Sequence, residues 1–481
     1  MMGQWVAAES FTMPILIIGA LVGGLIMLAL GKNYWYLIPF TLMSSLPAIS
    51  LAGRNIDLAE FAIVGCTCMF FARVALKKDE FVIFRPTHAL LLFAFAWILL
   101  CVAIEPDVLF LPDYLAAGGR RMYIKILLGF FAFLVMASRT PTEKDFKWIF
   151  ILLAIGLVIR LILSFLRAAP VDVDSYYGSR WQQQIIPLAG LGTSLLFARY
   201  KPSEMLTLKR IWTIPAYLCM LFLTMSVGRR AFLALIMAIP FLGAFLYKQY
   251  RFIVLGAIFG ISLLALLSTL HSNNIVHFSS RVQRALSWVP FSSFQAYAGG
   301  RYGMEDSFRT LLHELARQEI RNNPIIGRGY SYDARMMAAQ TRAQMQGGFI
   351  RDTDQVYGWA LAKHWHSIIL GYPATFGIPM GAAYMLHLIM VWILALRLAR
   401  ALPRFELRQV FVAYVFIRIS TTLLVSNSEG DVAINAIEFW WLFGFFFAIY
   451  AQVQKERAEN RLLQMEKKMW EPQNERTINA Q

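Results

Sequence analysis

Apolar runs separated by short polar connections follow one another along most of the chain. A helix needs roughly 17–25 mainly apolar residues to cross a bilayer, and the runs have about that length. The pattern predicts an all-α, polytopic transmembrane helical bundle of about 12–13 spans. The runs lie near residues 13–30, 34–51, 58–76, 88–104, 122–138, 148–168, 184–198, 211–227, 231–248, 252–270, 376–397, 409–426 and 434–452. The first run lacks a basic leader and a cleavage site, so we expect it to be a helix of the mature protein.

One long polar interval, residues 271–365, interrupts this pattern. A loop of this length is usually functional or disordered, and its helical periodicity favours function. We therefore divide the chain into N-terminal spans (1–270), a long outer loop (271–365), a re-entrant segment with C-terminal spans (366–452) and an inner tail (453–481). The tail is expected to be a mixed-charge helix.

An amphipathic helix is predicted inside the long loop, capped at its start by Asp306 or Ser307. Its apolar stripe comprises Phe308, Leu311, Leu312, Leu315 and Ile320, and its neighbouring basic face comprises Arg309, His313 and Arg317. Pro324 ends the helix, and Gly327 and Gly329 permit a tight turn. The helix either covers the bundle or closes its basic face over an anionic substrate.

Composition agrees with a membrane protein, since 58% of the residues are hydrophobic and 15% are charged. The net charge of +16 reflects basic residues in short loops, which orient the helices, and no nucleic-acid motif is present. That bias puts residues 271–365 outside. Four cysteines lie within apolar runs, which gives neither a disulfide framework nor a metal spacing. These cysteines are Cys66, Cys68, Cys101 and Cys219.

Several arginines occupy positions that topology alone does not explain. Arg160 and Arg418 lie inside apolar runs, where a charge usually faces a polar cavity; the alternative is snorkelling or pairing with helix carbonyls. Other arginines lie in outer connections, where a basic residue is a better functional candidate than one inside. These are Arg54, Arg120, Arg121, Arg180, Arg229 and Arg230.

Two sequence elements carry candidate chemistry. Arg229 and Arg230 stand at a helix start, where guanidinium groups and free N–H groups suit a diphosphate; the alternative is an interfacial anchor. His366 lies where the loop re-enters the membrane and is a candidate general base, although a loop histidine is more often structural. The broken segment after it, residues 367–379, is expected to be a short re-entrant helix. The other option is a two-histidine metal site of His364 and His366, to which Asp352 and Asp354 add weak support.

Together these elements resemble the O-antigen ligase and polymerase family of bacterial inner-membrane proteins. In that family an Arg precedes Pro-x-x-Gly-x-Gly by fifteen residues, as Arg309 precedes Pro324. Its His is followed by Leu and Gly, as His366 is by Leu370 and Gly377. Gly228-Arg229-Arg230-Ala231 is similar to its Ser-Arg-Gly/Ala element. Ser367 and Gly228 depart from the family's usual Asn and Ser.

The resemblance implies glycosyl transfer on the periplasmic face of the inner membrane, from a glycan on undecaprenyl diphosphate to an acceptor hydroxyl of lipid A–core or another carrier. His366 would take the acceptor proton, while Arg229 and Arg309 stabilise the departing diphosphate. Substrate contacts are expected from Arg230, Arg160, Arg180, His313, Arg317, Gly327, Gly329 and Arg418. No metal or cofactor is expected, and displacement would invert the anomeric centre. Alternatives are a repeat-unit polymerase of the same fold, or a transporter without chemistry.

Overall fold

The computed structural model shows an all-α bundle, as the apolar periodicity predicts. It describes residues 23–44, 49–51, 54–82, 84–106, 120–166, 180–227, 230–278, 282–283, 286, 301–329, 365, 367–424 and 437–478. Fifteen α-helices have both ends within these residues. They are α1 (Leu37–Ser44), α2 (Leu58–Ala75), α3 (Ala89–Ile104), α4 (Arg120–Ala137), α5 (Glu143–Leu166), α6 (Arg180–Arg199), α7 (Pro202–Met205), α8 (Thr213–Val227), α9 (Arg230–Leu246), α10 (Tyr250–Ser272), α11 (Arg301–Asn322), α12 (Ile368–Phe376), α13 (Ile378–Ala401), α14 (Leu407–Leu424) and α15 (Ile437–Ile478).

Short elements complete the described fold. Three 3-10 helices lie at Gly31–Tyr36, Pro86–His88 and Leu208–Arg210. An antiparallel pair of three-residue strands, β1 (Ile49–Leu51) and β2 (Arg54–Ile56), connects α1 to α2.

Five described helices are long and apolar enough to cross a membrane. They are Leu58–Ala75, Pro86–Ile104, Tyr250–Ser272, Ile378–Ala401 and Leu407–Leu424. Three shorter apolar helices accompany them, namely Met122–Ala137, Thr213–Met225 and Leu233–Leu246. These helices fit a membrane protein, while the full count of 12–13 spans stays a prediction.

The helix α10 presents apolar side chains to the surroundings along its whole length. Leu255 is 60% exposed, and Phe259 and Ile261 are each 69% exposed. Contiguous apolar surface of this extent is rare on soluble monomers. A lipid environment accounts for it.

The core of the bundle forms where α13 and α14 pack against each other and α15 packs against α4. Aromatic side chains fill it, including Phe411, Phe416, Trp440 and Phe445, all of which are buried. Glycines permit close helix approach: a Cβ at Gly444 of α15 would lie 2.5 Å from the Phe133 carbonyl oxygen of α4. The core thus includes α13, and the candidate site lies at the start of this helix.

Two boundary predictions were wrong. The apolar run at residues 34–51 is not one helix, because α1 ends at Ser44 and β1 begins at Ile49; Pro47 disfavours a helical residue before it. The loop helix α11 begins at Arg301 rather than at Asp306 or Ser307. Residues that can cap a helix also occur inside helices, and Asp306 and Ser307 are two such interior residues.

The other helix predictions were closer. α11 ends at Asn322, as Pro324 predicts, and α12 matches the short helix expected after residue 366. The described part of the tail continues the last apolar helix, since α15 runs unbroken from Ile437 to Ile478.

Candidate functional site

The turn after α11 folds as its glycines predict. Gly327 has a φ of +64° and Gly329 a φ of +60°, both in the left-handed region that residues with a Cβ rarely adopt. The Gly327 N–H donates to the Asn323 carbonyl at 3.0 Å, which closes the turn onto the end of the helix. The loop thereby reverses direction within a few residues.

This loop docks on the end of α12 through backbone hydrogen bonds. The Gly329 N–H donates to the Thr375 carbonyl at 2.7 Å, and the Arg328 N–H donates to the Ala374 carbonyl at 3.2 Å. In the other direction, the Ile378 N–H donates to the Pro324 carbonyl at 2.8 Å. We call residues 324–329 and 374–378 together the clamp.

Glycine is required where the two halves of the clamp touch. A Cβ at Gly327 would lie 2.5 Å from the Phe376 nitrogen, and one at Gly377 would lie 1.7 Å from the Ile325 carbonyl oxygen. Gly377 also has a φ of +85°. The Pro-x-x-Gly-x-Gly spacing and the glycine eleven residues after His366 therefore serve one backbone-to-backbone contact.

The helix α3 supports the clamp from the side. The Trp97 indole N–H donates to the Phe376 carbonyl at 3.0 Å, and the Cys101 thiol contacts the Ile326 carbonyl at 3.4 Å. Trp97 is midway along α3, so the clamp lies level with the second half of an apolar helix. Irregular backbone at that depth is tolerated when protein satisfies its polar groups, as these bonds do.

His366 and Arg229 lie outside the described residues, but the neighbours of His366 are well defined. Trp365 is 1% exposed, and its indole N–H donates to the Thr375 hydroxyl at 3.3 Å. The Ser367 hydroxyl accepts the Leu370 N–H at 3.2 Å and caps α12. Both chain neighbours of His366 are therefore anchored to the helix that forms half of the clamp.

The basic face of α11 is only partly described. Arg309 lies within α11, and its side chain is outside the described part of the chain. His313 is half-buried, and Arg317 is exposed and pairs with Glu314 at 3.0 Å. The Glu314 carboxylate therefore offsets part of the positive charge predicted for this face.

The buried stripe of α11 differs from the prediction. Leu312 and Ala316 are fully buried and Glu319 is 7% exposed, whereas Leu311 is 41% exposed. The Arg328 guanidinium pairs with the Glu319 carboxylate at 2.8 Å, which offsets the cost of burying that charge. This ion pair ties α11 to the clamp through side chains as well as backbone.

Helix directions give the bundle two distinct ends. Arg199 ends α6 and donates to the Phe405 carbonyl between α13 and α14, and Arg400 donates to the Leu246 carbonyl at the end of α9. Phe146, near the start of α5, contacts Phe411 of α14. These contacts define one end of the bundle. The helix α13 begins at Ile378, next to Gly377, and its 24 residues put that start about 36 Å away at 1.5 Å per residue.

Three of the arginines predicted as candidates lie toward the clamp end. Arg180 and Arg230 are the first residues of α6 and α9, about 29 and 24 Å along the helix from the opposite end. Arg160 lies about 21 Å beyond Phe146 along α5. For these three residues the structure defines the backbone position and leaves the side chain undescribed.

Arg418 is the membrane arginine with a described side chain. It is half-buried in α14, and its guanidinium carbon lies 5.7 Å from the centre of the Phe439 ring. Its own carbonyl accepts the Thr421 and Thr422 hydroxyls at 2.8 and 2.9 Å. The cation–π contact stabilises the charge without neutralising it.

Sequence reasoning missed Trp97, Cys101 and Thr375, which join three separate parts of the chain. Trp97 and its acceptor at residue 376 are 279 positions apart, so no local pattern could reveal the contact. Among the residues that the structure describes, no group of three His, Cys, Asp or Glu side chains could hold a metal ion.

No protein-family model matches the chain, and no curated protein matches it. The likeness to O-antigen ligases and polymerases therefore depends on the motif residues quoted above. Because one fold can host many functions, the activity has to be argued from the site itself.

Proposed function

We propose that the protein is a glycosyltransferase of the O-antigen ligase type in the bacterial inner membrane. It moves a glycan from undecaprenyl diphosphate to an acceptor hydroxyl on the periplasmic face. The acceptor is lipid A–core or a similar carrier. The alternative within the same class is a polymerase, which uses the next repeat unit as acceptor.

The clamp is the observation that supports this proposal. It joins α11, which carries Arg309, to α12, which begins two residues after His366. The two candidate residues are 57 positions apart in the chain, so only tertiary contacts can bring them near each other. The clamp holds the two helices together through backbone atoms, independently of side-chain identity at most of its positions.

The number of residues between the clamp and each candidate, counted along α11 and along α12, favours one site for both. α11 and α12 pack against each other, and each ends at the clamp. Ser367 is nine residues before Phe376, and His313 is nine residues before Asn322. Arg309 is then about one helical turn beyond the level of residue 367. We infer that the Arg309 guanidinium and the His366 imidazole engage the same diphosphate-linked sugar.

The mechanism is a single displacement at the anomeric carbon. The acceptor oxygen attacks that carbon, its proton passes to the His366 imidazole, and the bond to the diphosphate oxygen breaks with inversion. Negative charge grows on the leaving diphosphate, where the Arg309 and Arg229 guanidinium groups stabilise it. Arg230 at the start of α9 adds a positive helix end on the same side.

Transfer from a purified lipid-diphosphate glycan to candidate acceptors tests the proposal. Arg309→Ala and His366→Ala are expected to abolish product while the protein still inserts and folds. Arg321→Ala, an exposed residue of the same helix, and His277→Ala, an exposed loop residue, serve as matched controls. Near-normal transfer by either test variant removes that residue from the mechanism.

The glycans that accumulate on the lipid carrier when the gene is disrupted distinguish a ligase from a polymerase. Loss of a ligase leaves long chains attached to the lipid carrier, whereas loss of a polymerase leaves single repeat units. A transporter without chemistry would instead keep its activity in His366→Ala and lose it when Arg160 or Arg418 is replaced.

A further inference from the structure

Three arginines surround one phenylalanine at the end of the bundle opposite the clamp. The guanidinium carbons of Arg199, Arg210 and Arg404 lie 5.3, 5.1 and 4.7 Å from the centre of the Phe405 ring. Each distance is within the range of a cation–π contact. We call these four residues the arginine cluster.

Positive charge exceeds negative charge in the arginine cluster. Glu204 pairs with Arg210 at 2.9 Å and accepts two bonds from Arg404, one of them at 2.9 Å. The bonds from Arg404 lower the pKa of Glu204 to about 2, so this carboxylate stays charged. One carboxylate, paired with two of the three guanidinium groups, leaves an excess of two positive charges.

Donors of the arginine cluster are left over after these contacts. An arginine has five N–H groups in a fixed fork that suits phosphate oxygens. The Nε of Arg404 is buried and has no hydrogen-bond partner among the described residues. A buried donor without a partner costs free energy, so the contacts within the described residues do not use every donor of this arginine.

The backbone at the arginine cluster is strained. Phe405 has a φ of +68°, in the left-handed region that is unfavourable for a bulky residue. Its carbonyl accepts the Arg199 guanidinium at 2.8 Å. Strain of this kind persists where surrounding contacts over-determine the conformation, and it is concentrated at binding sites.

Exposed apolar side chains lie in the same chain segment. Leu206, Leu208, Ile211 and Trp212 are 61%, 89%, 50% and 54% exposed. Leucines facing outward beside Arg210 would be unfavourable in water, and tryptophan is enriched at membrane interfaces. Arg404 is three residues beyond the end of α13, which is about 36 Å long and spans a bilayer. The arginine cluster thus lies at headgroup height.

We propose that the arginine cluster binds the headgroup phosphate of an anionic phospholipid in the leaflet opposite the clamp. The guanidinium groups of Arg199, Arg210 and Arg404 face the phosphodiester, and the acyl chains lie along Leu206, Leu208 and Trp212. A soluble phosphate would use the arginines and leave these apolar side chains uncovered. The proposal is independent of glycosyl transfer.

Binding of defined lipids to the purified protein in detergent tests the proposal. Native mass spectrometry and thermal unfolding are followed with phosphatidylglycerol, with phosphatidylethanolamine and with inorganic phosphate. Phosphatidylglycerol is expected to remain bound and to raise the unfolding temperature most. Arg199→Gln and Arg210→Gln should each weaken its binding about fivefold, the contribution of one basic residue near an anionic surface.

Control variants distinguish a site from general surface charge. Lys78→Gln removes one exposed positive charge from a different loop and should leave lipid binding unchanged. Lys209→Gln, an exposed change within the same segment, should weaken binding in the same direction, so the test remains decisive if an arginine variant unfolds. An equal loss in Lys78→Gln, equal binding of phosphatidylethanolamine, or equal stabilisation by inorganic phosphate would each overturn the proposal.

Discussion

Replacing Gly377 by alanine is the most direct perturbation of the clamp. The new Cβ would lie 1.7 Å from the Ile325 carbonyl oxygen and 2.9 Å from the Ile326 nitrogen, so the loop has to move away. A φ of +85° with a ψ of 162° adds backbone strain of about 1–3 kcal/mol for a residue with a Cβ. Both effects act in the folded protein.

The magnitude follows from the bonds that the displaced loop would lose. Three backbone hydrogen bonds join the halves of the clamp, donated by Arg328, Gly329 and Ile378. Each contributes about 1 kcal/mol. With the strain at Gly377, we expect Gly377→Ala to destabilise the clamp by about 4–6 kcal/mol.

Gly260→Ala is the matched control, because a Cβ at this helical position meets no atom within 4 Å. It should be neutral or stabilising by up to about 1 kcal/mol, since alanine is the better helix former. Hydrogen–deuterium exchange over residues 324–329 and 374–378 measures opening of the clamp, and thermal unfolding in detergent measures the whole bundle. Exchange in Gly377→Ala no faster than in Gly260→Ala would refute the reasoning.

Two further predictions concern ion pairs. Arg328→Met should destabilise the protein by about 1–3 kcal/mol, because it leaves the nearly buried Glu319 carboxylate unpaired. Thermal unfolding should show partial recovery in the Arg328→Met, Glu319→Gln double variant, and no recovery would refute the pairing. The low pKa of Glu204 contributes stability above its unfolded pKa of about 4.5 that is lost as the pH falls toward about 2. The difference in unfolding temperature between wild type and Glu204→Gln should therefore shrink over that range, and a constant difference would contradict the assignment.

Helix positions could be predicted from the sequence because the membrane imposes length and apolarity on each span. α2, α3, α10 and α14 begin and end within a few residues of the predicted runs. The start of α11 could not be predicted from the sequence, because an aspartate such as Asp306 can cap a helix or lie inside one. Local sequence does not distinguish these two uses.

The components of the clamp were visible in the sequence, but their contact was not. Gly327, Gly329 and Gly377 each indicated a special backbone position, and the structure explains them by one close approach. Glu319 interrupts the apolar side of α11 because its carboxylate pairs with Arg328, nine residues later in the chain. Such pairings depend on tertiary structure, which periodicity along one helix does not encode.

The distribution of charge along the bundle bears on whether the protein catalyses a reaction or transports a substrate. A transport path needs polar groups through the whole thickness of the membrane. The candidate membrane arginines instead lie toward the clamp end, where Arg230 begins α9 and Arg418 lies in the half of α14 farther from Leu407. At the other end, Arg400 and Arg404 are engaged by backbone carbonyls and by Glu204. The candidate arginines near the clamp are therefore consistent with the proposed reaction on that face, and activity that survives in His366→Ala but is lost when Arg160 or Arg418 is replaced would favour transport instead.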